Sequence, residues 1–206
     1  MSCDPRARPL RRSDLDDDPL RQFAAWFEAA REAGVPMPEA AALATAAPDG
    51  RPSVRMVLVR GVEQRLFVFY SGYESRKGRE LEANPWAALC FYWHAPGRQV
   101  RVEGPVSRLS AAESDAYFAS RPLGSQLSAA ASAQSEPVPG RAELERAVAE
   151  LAERYAGGPV PRPASWGGFA LAPEHVEFWQ HREDRLHDRF RYRLRDGGWE
   201  IERLAP

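Results

Sequence analysis

Cysteine is nearly absent from this chain. Cys3 stands in a polar N-terminal stretch and Cys90 inside an apolar run, so neither a disulfide framework nor a cysteine-rich metal site is expected, and a reducing, cytoplasmic setting fits. Long apolar runs are missing as well. The longest, Trp86 to Trp93, falls far short of the roughly 20 residues that cross a bilayer as a helix. Charge of one sign is lacking too: 28 Lys and Arg stand against 29 Asp and Glu, a formal net charge of -1. That balance excludes the global cationic field behind non-specific nucleic-acid binding, so any anion site must be local. The opening "MSCDPRARPLRRSDLDDDPL" carries charge with no apolar stretch after it. It does not read as a secretory signal, and residues 1–17 are expected to form a mobile arm. No Gly-rich phosphate loop, HExxH, GxSxG or metal-spaced Cys/His set occurs, so the usual nucleotide-loop, zinc-hydrolase and serine-hydrolase chemistries have no foothold and no metal is expected.

What is present is an ordinary soluble composition. With 206 residues, 44% apolar and 28% charged, the chain suits a single domain, taken as 18–206. "DPLRQFAAWFEAAREAG" offers Asp18 as N-cap, Pro19 at the first helical position, an apolar stripe through Leu20, Phe23, Phe27 and Ala30, and Gly34 as a stop. "AALATAA", "SVRMVLVR" and "RLFVFYS" are strand-like runs split by "PDG" and "GVEQ", which is hairpin punctuation. "SRKGRELEANP" predicts a short helix capped by Ser75 and ended by Asn84 and Pro85. "WAALCFYWH" and "RQVRVEGPVSRLS" follow as strands, with Val100, Val102 and Gly104 on one face before Pro105 disturbs the ladder. Ser110 and Glu113 form a capping box for a helix that Pro122 terminates. A small-residue stretch, "GSQLSAAASAQSEPVPG", precedes a helix from about Arg141 to Tyr155. "HVEFWQ", "RLHDRFRYRL" and "WEIERL" close the chain as antiparallel strands. The expectation is an α+β domain built on a closed or nearly closed antiparallel barrel.

Several local cation clusters could hold anions. In "EDRLHDRFRYRL" a period of two would set Arg185, His187 and Arg189 on one strand face, about 7 Å apart in successive steps, with Leu186, Phe190 and Tyr192 turned to a core. A solvated basic face explains that pattern equally well. "SRK" at Ser75 to Lys77 is more specific. Two cations in a first helical turn oppose the helix dipole, and a bound phosphate would account for them; plainly tolerated surface cations are the alternative. Tyr117 and Arg121 share a helix face by their spacing of four, and Ser125 follows the Pro122 break, a phosphate grip or an ordinary helix face. Arg55 and Arg60 bracket "MVLV" and would point to opposite faces of a regular strand, so only a bulge or their long stems would bring them to one ligand. Trp179 is a core aromatic unless a planar ligand lies beside it.

The order "RMVLVR", "FYSGYESRKGREL", "NPW", "RQVRVEG", "YFASRPLGSQ", "AQSE", "WGGF", "EFWQ", "RLHDRFRY" and "ERLAP" resembles the pyridoxine/pyridoxamine 5′-phosphate oxidase family over nearly the whole chain after the arm. The resemblance implies a homodimer of antiparallel split β-barrels with flanking helices, with FMN held at the subunit interface. It implies that Arg55, Tyr70, Ser71, Arg76, Lys77, Gln99, Gln134, Ser135, Trp179 and Arg189 bind FMN. Tyr117, Arg121 and Ser125 would hold the substrate phosphate, with Arg185 and His187 against the pyridine ring as the catalytic pair. Arg60 stands where the family usually has a substrate-contacting Lys, and its planar fork reaches differently. The implied reaction oxidises pyridoxine or pyridoxamine 5′-phosphate to pyridoxal 5′-phosphate, with O2 reduced to H2O2. Two other readings stay open: a phenazine-pathway flavin oxidase of the same superfamily, and a non-catalytic flavin or pyridoxal-phosphate carrier.

Overall fold

The computed structural model describes residues 8–63 and 65–206. Helix α1 (Pro19–Glu32) begins where Asp18 accepts a hydrogen bond from the Leu20 amide, with Pro19 in the first turn. Its apolar stripe plugs a barrel. Phe23 lies 5.0 Å from both Phe67 and Phe91 in edge contacts, and Trp26 stands edge-on to Phe178 at 5.1 Å. Each such ring withdraws apolar surface worth about 1.5–3 kcal/mol, so this helix anchors the fold.

The strands are β1 (Ala40–Ala46), β2 (Pro52–Glu63), β3 (Leu66–Gly72), β4 (Trp86–Trp93), β5 (Arg98–Arg108), β6 (Trp166–Leu171), β7 (His175–Gln180), β8 (Asp188–Arg195) and β9 (Gly198–Leu204). They run in the order β4-β1-β2-β3-β6-β5-β7-β8-β9, and β4 pairs with β5 to close the first six into an antiparallel barrel. Leu43, Phe67, Phe69, Leu89, Phe91, Val100 and Val102 are wholly buried inside it. β5 is the hinge of the architecture. Its first half pairs with β7 as far as Glu103, and from Val106 onward the same edge pairs with β6. Pro105, read as disturbing the ladder, sits at that change of partner and still opposes Trp86 of β4. A residue without an N–H is tolerated where the ladder changes partner, and the Pro105 carbonyl still accepts from the Ala172 amide.

Helices α2 (Arg76–Ala83), α3 (Ala111–Ser120), α4 (Leu123–Ala131) and α5 (Arg141–Arg154) lie between strands. Ser110 and Glu113 make the expected capping box on α3. Four features depart from the expectations. α4 occupies part of the stretch read as small-residue linker; its N-cap, Pro122, offers no side-chain cap, so the usual start signal is absent. β6 carries no period-two pattern because all six of its residues are buried. The strand expected across 185–194 begins only at Asp188, because Asp184 and Arg185 adopt positive φ of 54° and 60° within a 3₁₀ turn, Glu183–Arg185. Leu186 is accordingly exposed, while Phe190 and Tyr192 are buried as read. Lastly, residues 8–17 of the expected mobile arm are docked. Leu10 and Leu15 are buried, the Leu10 amide donates to Asp188 at 2.9 Å, and Tyr192 donates to the Asp16 carbonyl at 2.7 Å. Two leucines among charges are enough to anchor the segment. Residues 1–7 of that arm lie outside the described residues.

Gly104 marks the tightest backbone approach of the barrel: a Cβ there would stand 1.9 Å from the Ala172 carbonyl oxygen. Gly104→Ala must displace backbone at the β5 partner change. Overpacking of this kind costs about 1–3 kcal/mol, and the thermal midpoint is expected to fall by about 2–10 °C; an unchanged calorimetric midpoint would refute this account of the crossing.

Candidate functional site

The α2 N-terminus is the centre of the site. Ser75 caps it, accepting from the Gly78 amide and donating to the Gly72 carbonyl at 2.7 Å. Gly78 lets the first turn press on the end of β3, since a Cβ there would lie 2.0 Å from the Tyr73 carbonyl. Lys77, buried, reaches Ser71 Oγ at 3.0 Å, Ser75 Oγ at 3.2 Å and Gln134 Oε1 at 3.3 Å. All three partners are neutral oxygens. Burial first, and then the Arg55 charge, pull the Lys77 pKa down from 10.5 to about 8, with Glu80 opposing. Gln134 Oε1 also accepts from Ser71 Oγ at 2.9 Å and the Gly72 amide at 3.0 Å, and Ser135 beside it holds a positive φ of 77°.

These residues line a cleft of about 1500 Å³. Arg55, Arg60, Tyr70, Ser71, Arg76, Lys77, Tyr117, Arg121, Ser125, Gln134 and Ser135 all face it. Arg55 and Arg60 reach one cleft, and the β2–β3 register shifts between Val59 and Gly61, the bulge that was one of the two ways, with long stems, for their spacing to allow it. Arg60 is only loosely paired, 3.9 Å from Glu39. Tyr117 stacks on Tyr70 with ring centroids 3.6 Å apart. Arg121 lies 4.7 Å over the Trp166 ring, and its Nη1 is buried with no hydrogen-bond partner among the described residues. Burial lowers its pKa, but a guanidinium keeps its proton. Trp166 was not singled out from the sequence. A buried ammonium contacting only neutral oxygens and a buried guanidinium N–H without an acceptor fit ligands that bring phosphoryl oxygens.

Gln99, Trp179, Arg185, His187 and Arg189 do not line this cleft. Gln99, Trp179 and Arg189 stand opposite one another across β5, β7 and β8. His187 packs 4.6 Å from the Trp179 ring. Arg189 makes a two-pronged ion pair with Glu177 at 2.8 and 3.1 Å. Arg185 is exposed and off the strand, so the expected row of Arg185, His187 and Arg189 on one strand face does not exist. The Arg182 amide donates to His187 Nδ1 at 3.1 Å, so the neutral ring carries its proton on Nε2. Desolvation, His181 and Arg185 lower the His187 pKa and favour that neutral form. The chain therefore presents two groups of side chains on different parts of its surface.

A closed six-strand antiparallel barrel with flanking helices, a cation-lined cleft at a helix N-terminus and a three-strand extension defines the split-barrel class. Comparison narrows the class. Residues 27–155 match the family model for pyridoxamine 5′-phosphate oxidase, and residues 166–206 match that for the pyridoxine 5′-phosphate oxidase C-terminal dimerisation region. A Rubrobacter xylanophilus protein named pyridoxine/pyridoxamine 5′-phosphate oxidase is 58% identical over 96% of this chain and 91% of its own length. A Myxococcus xanthus protein of the same name is 52% identical over 96% of both. Among solved structures, PhzG from Burkholderia lata, in complex with tetrahydrophenazine-1-carboxylic acid, superposes with a TM-score of 0.90 at 34% identity, covering 96% of this chain and 98% of its own. The chain belongs to the pyridoxamine 5′-phosphate oxidase family.

The buried ammonium gives the cleft a pH signature. Because the folded pKa of Lys77 lies below 10.5, the unfolded chain holds the extra proton between about pH 8 and 10.5, so this group's cost to folding is greatest below that window and fades as pH rises through it. Anion affinity runs the opposite way. Inorganic phosphate, titrated calorimetrically into ligand-free protein, is expected to bind at pH 7 and to weaken as pH rises past about 8, a step absent from Lys77→Met; pH-independent binding between 7 and 9 would contradict the assignment.

Proposed function

We propose that the protein is an FMN-dependent oxidase converting pyridoxine 5′-phosphate and pyridoxamine 5′-phosphate to pyridoxal 5′-phosphate, working as a homodimer. The observation that carries the reading is the pairing of two polar grips in one cleft: Arg55 on β2 with Arg76 and Lys77 at the α2 N-terminus, and Tyr117 on α3, Arg121 at its C-cap and Ser125 on α4. The first set, with Ser71, Gln134 and Ser135, suits the FMN phosphate and polar edge. The second suits the substrate phosphate, with Arg60 at its rim. Tyr70, stacked on Tyr117, ties the two sets together.

When bound, FMN would supply the redox chemistry, taking a hydride from the substrate C4′ and passing the electrons to O2 to give H2O2, while water would hydrolyse the imine that the amine substrate leaves and release ammonia. The chain's own part is to fix both phosphates so that two aromatic planes meet, replacing a bimolecular encounter with a held geometry. Gln99, Trp179, Arg185, His187 and Arg189 come from a second copy, which is why one chain leaves them outside the cleft. The family's dimerisation region spans them from Trp166 onward, Gln99 excepted. The outer barrel face supports the same reading: Val54 and Met56 on β2 are 68% and 65% exposed, apolar surface that a partner would cover. Neutral His187, with Nδ1 already accepting from Arg182, acts toward the substrate as an Nε2–H donor that orients the ring.

The fold likeness to PhzG favours a second reading, a phenazine-pathway flavin oxidase. The phosphate grip of Tyr117, Arg121 and Ser125 argues against it. The test is the visible spectrum of the purified protein, followed by pyridoxal 5′-phosphate and H2O2 formation from each phosphorylated substrate. Arg121→Ala is expected to raise KM by about tenfold or more with flavin content unchanged. Yellow protein that consumes no O2 with pyridoxamine 5′-phosphate would mark a carrier instead, and equal loss of flavin in Arg121→Ala would refute the division between the two grips.

A further inference from the structure

Glu80 was not marked by any sequence pattern, yet it is the most heavily hydrogen-bonded carboxylate beside the cleft. It sits on the buried side of α2, 7% exposed. Its Oε2 accepts from the hydroxyls of Thr45 and Ser53, which face each other across β1 and β2, and from Arg55 Nη2 at 3.2 Å. Its Oε1 accepts from Arg76 Nε at 2.9 Å. Arg55 is further tied to the Leu43 carbonyl at 3.2 Å and to both hydroxyls. Burial alone would raise the carboxyl pKa, but the bonds from Ser53, Thr45, Arg76 and Arg55 outweigh it and hold the group at about 2. The carboxylate is therefore charged near neutral pH.

We propose that Glu80 is a positioning residue for the cofactor phosphate: it holds Arg55 and Arg76, two guanidinium groups from different elements, side by side in the cleft wall. The inference rests on the reading of this cleft as the FMN site. Three cations, Arg55, Arg76 and Lys77, gather there, and without an anion between them their repulsion would swing the long arginine stems out to water. Arg76 shows the need most plainly. Its side chain is 61% exposed, and the bond to Glu80 is what keeps it along the helix. The carboxylate leaves the end of the Arg76 fork for another acceptor, since it takes Arg76 through Nε, whereas Arg55 spends both Nη atoms on Glu80, Leu43, Thr45 and Ser53 and offers the cleft its Nε–H and its fixed charge. The rotamer entropy of both arginines is thus lost on folding rather than on ligand binding, which favours affinity. Substrate-side Arg121 pairs with no carboxylate among the described residues and rests on Trp166 instead.

The test compares FMN with riboflavin, which has the same ring and no phosphate, by flavin fluorescence quenching on ligand-free protein. Glu80→Ala is expected to weaken FMN by about tenfold, equal to about 1.4 kcal/mol, and to leave riboflavin affinity unchanged. Glu80→Gln keeps an oxygen for Thr45, Ser53 and Arg55 but turns an amide toward Arg76, and falls between wild type and Ala. Equal weakening of both flavins means general damage and overturns the proposal, as does no change in either. Should Glu80→Ala fail to fold, Ser53→Ala and Glu80→Gln are measured the same way, with the same phosphate-selective loss expected. Wild-type protein that binds neither flavin would instead sink the FMN reading itself.

Discussion

An ammonium buried without a carboxylate in contact is the constraint on which this structure turns. Lys77 is held by three neutral oxygens at the N-terminus of α2, where the Ser75 cap takes the Gly78 amide. Such a group is costly to bury, and folding alone gains nothing from the arrangement. Its neighbours deepen the cost: Arg55 lowers the Lys77 pKa further, and Glu80 restores part of the balance. On the proposed reading, an anion bound in the cleft offsets that cost. Everything else in the cleft can be understood as a way of making that happen in one geometry, from the Ser75 cap and the Gln134 latch to the bulge at Arg60.

On the proposed reading, the layout of the barrel accounts for a site that takes two ligands and draws on two chains. β5 gives its first half to β7 and its second to β6, so the chain builds a closed barrel and a three-strand extension from one ladder. The cation cleft belongs to the barrel and its helices. Trp179, His187 and Arg189 belong to the extension, in a row shared with Gln99. Glu177 grips Arg189 with both oxygens, much as Glu80 grips Arg55 and Arg76. Each half thus keeps its cations aligned with a buried carboxylate before any ligand is present.

Much of this was legible in the residues. Asp18, Pro19 and Gly34 bracket α1, Ser110 and Glu113 box α3, and the misfit of two cations with a helix dipole picks out Arg76 and Lys77. The failures have physical causes. β6 is buried on both faces and so shows no alternation; α4 starts without a capping side chain. The break before β8 comes from positive φ at Asp184 and Arg185, a conformation that neither residue type announces. Glu80 was invisible because its meaning lies in Thr45 and Ser53, far upstream and brought near only by the β1–β2 pairing. Trp166 was hidden in the same way, its role set by Arg121 across the fold. Which half-site faces which could not be read either, since period-two reasoning placed Arg185 on a strand it does not join.

The central claim is that a working site combines the cleft of one chain with the extension of another. Co-expressing a Lys77→Met chain with a chain carrying Trp179→Ala and Arg189→Ala tests it directly, because neither variant alone should retain flavin. In the mixed dimer one site would carry both defects and the other none. Flavin content and oxidase activity should return to about a quarter of the wild-type sites under random pairing, half of the dimers being mixed with one good site each. Mixed protein as empty as the separate variants would contradict the account and place the whole site within a single chain.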